Sequence, residues 1–187
     1  MLNPTKNPKA GMLLIAEPML NDPNFKRSVV LLCEHNEEGS FGLVLNRVMG
    51  LKLVDVIDDL PDFNKDLYLG GPVQPETLHV IHRAGKEVPS TLEIFGNVKW
   101  GGDFEQMKTL LETFPDRHPD FRFFLGYSGW GPEQLQNEID SGDWVLTSAT
   151  EDIIFTEDSE KMWRMIMKKL GGEYALFSNI PDDPGMN

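Results

Sequence analysis

Gly126-Tyr127-Ser128-Gly129-Trp130 is the segment nearest to a catalytic motif. A Gly-x-Ser-x-Gly elbow lifts a serine above a strand on a strained turn. Here tryptophan stands at the closing position, and its bulk opposes that turn. A triad in this order also needs an acid and then a histidine beyond the serine. All four histidines (His35, His79, His82 and His118) precede Ser128. The glycines therefore read as a tight strand-to-helix turn, with Pro132 in the first turn of the helix. His79 and His82 invite a metal, but residues three apart on a strand point to opposite faces. No cysteine or second histidine pair completes such a site, and the two read as partly exposed strand residues. Gly70-Gly71-Pro72 lacks the Gly-Lys-Ser/Thr ending of a phosphate loop and reads as a turn fixed by proline. Cys33 lies in an apolar run and reads as a small core residue. No cofactor and no metal are expected.

Phe25-Lys26-Arg27-Ser28 and Asn46-Arg47 put three bases and two short polar groups at the ends of neighbouring strands. Planar guanidinium groups make paired contacts with small anions or with the acids of a partner peptide. The structural alternative pairs Arg27 and Arg47 with Asp22, Glu34 or Glu17. Trp130, on its glycine-flanked turn, is expected to be only partly covered and to border the same face as the arginines. The candidate binding set is Arg27, Ser28, Asn46, Arg47, Tyr127, Ser128 and Trp130.

The frame that must position them is a chain of 187 residues with 40% hydrophobic residues. Residues 1–10 read as a mobile tail and 11–187 as a single domain. One cysteine precludes an intramolecular disulfide and suits a reducing compartment. No stretch nears the ~20 apolar residues of a membrane span, and the N-terminus lacks a signal-type apolar run. A cytoplasmic location and no membrane partner follow as expectations. Net charge is −13, and residues 103–160 carry 14 acids against three bases. Such a surface repels phosphate backbones, and no helix-turn-helix with a basic second helix is visible. Direct nucleic-acid binding is not expected.

Apolar runs predict strands at Met12–Ala16, Ser28–Cys33, Phe41–Leu45, Leu67–Leu69, Leu78–His82 and Leu92–Phe95. The second is apolar on both faces and so central, and its short link to the third predicts an antiparallel hairpin. Helices are predicted over Leu51–Leu60, Asp103–Phe114, Pro132–Ser141 and Asp158–Leu170. Asp103 with Gln106 fits a capping-box variant, and Gly171 ends the last helix. Strands come first and helices interrupt them irregularly, which points to an α+β fold.

Four stretches together resemble the AlgH/YqgE family of bacterial proteins. They are Gly11–Ala16 with Pro18, Asp22, Phe25, Arg27, Ser28 and Val29; His35, Gly39 and Gly42–Arg47; Gly70–Val73; and Gly126–Leu135 with Glu138 and Trp144. The resemblance runs from about residue 11 to 180 and implies a bifurcated, mostly antiparallel β-sheet folded into a barrel-like body with about four flanking helices. It implies no agreed catalytic site, and the family's name carries a role in transcriptional regulation. The reading is a binding or regulatory protein acting through an unknown protein or small ligand. The alternatives are a hydrolase, using Ser128 or an unrecognised carboxylate site, and a direct DNA-binding regulator, which the charge opposes.

Overall fold

A computed structural model describes residues 2–58, 60 and 65–179. The α+β expectation holds: a mostly antiparallel sheet curls into a half-barrel, and helices cover its faces. Its strands are β1 (Met12–Ala16), β2 (Val29–Asn36), β3 (Gly39–Val44), β4 (Val48–Lys52), β5 (Asp66–Leu69), β6 (Val73–His82), β7 (Thr91–Phe95), β8 (Val98–Gly101), β9 (Phe121–Trp130) and β10 (Trp144–Ser148). The main path runs β10-β1-β2-β3-β9-β6-β8-β7.

The fork lies at β9. One edge of β9 pairs with β3 over Ser128–Trp130 and, further back, in parallel with β5 over Phe123–Leu125. Its other edge pairs with β6. β4 adds to β5 alone.

β1 and the first half of β2 are buried on both faces, as their uninterrupted apolar runs require. Leu13, Ile15, Val29 and Leu31 turn to one face, beneath α3 (Glu151–Ile154) and α4 (Met162–Leu170). Met12, Leu14, Val30 and Leu32 turn to the other, beneath α2 (Gln134–Ser141). A third cluster packs Leu67, Val80, Phe121 and Phe123 against Met107 and Leu111 of α1 (Phe104–Thr113). A short α5 (Gly172–Phe177) packs on α4. The Asp103 carboxylate caps α1 by accepting from the Gln106 amide at 3.0 Å, as expected. Among the described residues no helix is long and apolar enough to cross a membrane. Within residues 1–10, expected to be a mobile tail, the Thr5 amide donates to the Leu146 carbonyl of β10 at 2.9 Å.

Several expectations are corrected. Residues 51–58 hold no α-helix; β4 runs to Lys52 and a single 3-10 turn follows at Leu53–Asp55, the Lys52 amide donating to Asp55 Oδ2 at 2.7 Å. Leu53 is buried and Ile57 and Leu60 pack, partly buried, on the same cluster, while Val54 is exposed. Residue 59 of that prediction lies outside the described residues. Gly126–Trp130 is not a turn but the last half of β9, and α2 begins only at Gln134 after Glu133 takes the left-handed conformation. Gly126 serves close backbone approach. A Cβ on Gly71 would collide with the Tyr127 carbonyl and the Ser128 hydroxyl, and one on Gly126 with the Gly71 carbonyl. The segment Asp158–Leu170 opens with a 3-10 turn at Ser159–Lys161 before α4 proper, which ends at Gly171 (φ +75°).

Candidate functional site

The β2–β3 hairpin is antiparallel, so the start of β2 and the end of β3 lie together. Asn46, just past β3, fastens this corner: its Oδ1 accepts from the Val29 amide at 2.8 Å and its Nδ2 donates to the Arg27 carbonyl at 2.9 Å. Arg27 itself sits in the left-handed region at φ +55°, a conformation that costs about 1–3 kcal/mol for a non-glycine residue and needs such support. Its guanidinium lies over the Trp163 ring, 5.2 Å from the centroid. Trp163 is buried and donates its indole hydrogen to the Ala16 carbonyl at 2.8 Å. The Arg47 guanidinium donates to the Pro23 carbonyl at 2.9 Å. Burial pulls the Arg47 pKa down from its ordinary value, and the charge of Asp22 works the other way.

These residues line a cleft of about 490 Å³. Among the described residues, Lys26, Arg27, Arg47, Lys161 and Arg164 supply five cations to its wall, and Glu160 an acid. Lys161 also pairs with Asp158 at 3.2 Å on the exposed rim. Ser28 is buried beside Arg27, and its hydroxyl has no hydrogen-bond partner among the described residues. Arg27, Asn46 and Arg47 thus come together as expected. Lys161 and Arg164 of the α4 region escaped the sequence reading, because nothing in the chain links that helix to the hairpin corner.

The other candidates lie elsewhere. Tyr127 joins an aromatic cluster across four strands with Phe41, His79 and Trp100, its ring 4.8 Å from that of Phe41. Ser128 is fully buried and donates to the Gly70 carbonyl at 3.1 Å, so its hydroxyl is held within the sheet. The expectation of a partly covered Trp130 is overturned: it is 5% exposed, stacked on Phe25 at 6.0 Å and edge-on to Trp144 at 6.1 Å. The Glu138 carboxylate accepts from both the Trp130 and Trp144 indoles at 2.8 Å and from Gln134 Nε2 at 2.9 Å. Trp130 therefore belongs to the core under α2 and does not border the cleft.

His79 and His82 face opposite sides of β6, as strand geometry dictates. His82 is buried, against expectation, with its ring 5.4 Å from Phe121 and Nδ1 accepting from the Ala84 amide at 3.2 Å. Cys33 is buried too, and burial, with Glu34 adding to it, raises its thiol pKa well above the usual range. Among the described residues no cluster of three or more His, Cys, Asp or Glu could hold a metal. A serine–histidine contact does occur, between His35 Nδ1 and Ser40 Oγ at 2.8 Å, but as a cross-strand pair in the β2–β3 hairpin. Arg122, counted from sequence only as a base, is buried. It donates to the Ile154 and Leu45 carbonyls at 2.5 and 2.6 Å and lies 4.1 Å from the Tyr68 ring centre, tying β9 to α3 and to the end of β3.

A family profile described as AlgH-like matches residues 13–175. The UPF0301 protein of Chlorobium limicola is 44% identical over 187 residues, covering 100% of both chains. That of Cytophaga hutchinsonii is 40% identical over 178 residues, 95% of this chain and 98% of the relative. Among solved structures, the AlgH protein of Pseudomonas aeruginosa is 32% identical, with a TM-score of 0.72 over 95% of this chain and 97% of that one. The DIP2367 protein of Corynebacterium diphtheriae is 25% identical, with a TM-score of 0.77 over 93% of each.

Proposed function

Since the chain belongs to the AlgH-like family, whose named relatives carry no stated reaction, we propose that it is a cytoplasmic binding protein that captures a small anionic ligand in the cleft between the β2–β3 corner and α4. One observation carries this reading. A chain with a net charge of −13 gathers five cations around a single concavity. A cleft of this volume falls in the range of small-ligand sites, and guanidinium and ammonium groups are the natural receivers of oxyanions. The corner is also braced in advance by Asn46, Trp163 and the Pro23 carbonyl. Bracing lowers the ordering cost that binding would otherwise meet. Any regulatory role would then follow from ligand occupancy of the cleft.

The test is a thermal-melt screen of multivalent anionic metabolites at constant ionic strength. A ligand at a hundred times its Kd stabilises the fold by about 2.7 kcal/mol, which for a domain of this size raises Tm by roughly 5–10 °C. That rise should saturate, and should vanish in the Arg27→Ala/Arg47→Ala double variant. If no anion produces it, the cleft is not a ligand site.

A further inference from the structure

Beyond the cleft, we infer a second ligand site: the cavity between the starts of β5 and β9 and the segment after α3 receives a small organic monocarboxylate on the guanidinium of Arg122. This cavity holds about 350 Å³, within the range of small-molecule sites, and shares no lining residue with the cleft. Arg122 lines it although only 5% exposed. Its bonds to the Ile154 and Leu45 carbonyls use two of its five N–H donors. Neutral carbonyls and the face of the Tyr68 ring steady the group but cancel no charge. Among the described residues no carboxylate pairs with it. A buried charge without a counter-charge is costly, and burial accordingly lowers the Arg122 pKa, with Tyr68 working the other way.

The charged neighbours limit what the ligand carries. Lys65 is the second cation on the wall. Burial lowers its pKa and the charge of Arg122 lowers it further, while Asp66, Glu157 and Asp120 act against them. Two of those acids are already engaged. Asp66 pairs with Lys52 at 2.5 Å, and Asp120 with Arg83 and Arg117 at 2.8 and 2.7 Å. Arg117 is shared in turn with Glu87 at 2.6 Å. Glu157 is left to offset Lys65, and the charge of Arg122 remains to be met. One anionic group meets it, whereas a dianion would face Glu157 and Asp66 on the same wall. The rest of the wall includes Phe121, Phe155 and Pro119, and the Arg83 guanidinium lies over the Phe155 ring at 4.7 Å. A carboxylate on a short apolar body suits both halves of this lining, and a guanidinium is its natural receiver.

The experiment is an NMR titration of the full chain, at fixed ionic strength, with butyrate, benzoate, sulfate and the uncharged isostere butyramide. The Arg122 Nε–Hε resonance reports the cavity, and the Trp163 indole resonance reports the cleft. Butyrate and benzoate should shift Arg122 to saturation. Butyramide and sulfate should each bind it about tenfold more weakly than butyrate, for want of one charge-assisted contact or through repulsion by the two acids. Lys65→Gln should weaken butyrate by about tenfold, and Glu157→Gln should tighten it by about threefold. Circular dichroism checks folding; if Lys65→Gln does not fold, the exposed change Glu157→Gln carries the test. An Arg122 resonance that neither carboxylate moves would overturn the site, including when the Trp163 indole moves instead. Butyramide or sulfate binding as tightly as butyrate would overturn the monocarboxylate assignment, as would a butyrate affinity that neither variant alters.

Discussion

His82 shows how much a single buried ring can govern. Its folded pKa falls from 6.5 to about 4, chiefly through burial and further through Lys99, against the Gly101 backbone, which as an acceptor favours the protonated ring. In the unfolded chain the same ring takes up its proton below about 6.5. Between these values the unfolded state binds more protons, so stability falls as pH falls through the window. The loss should reach on the order of 3 kcal/mol by pH 4. Burial lowers His79 as well and adds in the same direction. Urea melts from pH 7 to 4 should show this slope, and His82→Gln should flatten it. An unchanged slope in the variant would assign acid sensitivity to the carboxylates instead.

Elements are joined here by a few polar clasps, and Glu138 on α2 is the clearest. One carboxylate holds the indoles of Trp130 on β9 and Trp144 on β10, which lie at distant points of the sheet path. Glu138→Ala strands two buried donors, so chemical denaturation should show a loss of about 2–4 kcal/mol. A loss below about 1 kcal/mol would mean that the indoles find other acceptors. Sequence disclosed Glu138 and Trp144 as part of a shared pattern without disclosing why they occur together. The strands β1, β2, β3, β5 and β7 were legible because each is a short apolar run between turn residues. The fork in the sheet was legible only through family resemblance. β9 was missed because its glycines mimic a turn, and the real reason for Gly126, the close passage of Gly70 and Gly71, is a contact between segments far apart in the chain. The apolar residues of 51–58 misled in the opposite direction, since Leu53 and Ile57 reach the core from a strand end and a 3-10 turn rather than from a helix. The cleft was half legible for the same reason: Arg27, Asn46 and Arg47 share one hairpin, whereas Lys161 and Arg164 arrive from α4 through tertiary packing alone.

Over the whole molecule acids outnumber bases, 30 to 17, and five of the bases line the cleft. A duplex needs a row of bases along its backbone, and five around a cleft do not form one. Titration of random duplex DNA at physiological salt, followed by fluorescence anisotropy, should give a Kd weaker than about 10⁻⁴ M. Salt-sensitive micromolar binding would refute this. The order of the sheet also has a consequence for biosynthesis. β1 leaves the ribosome near the start of translation, yet one of its edges is covered only by β10, with Ala16 opposite Trp144. At 5–20 residues per second the partner follows roughly 6–26 s later. For that interval the nascent chain exposes a wholly apolar strand with an open edge, the kind of surface that chaperones bind and that crowded polysomes aggregate.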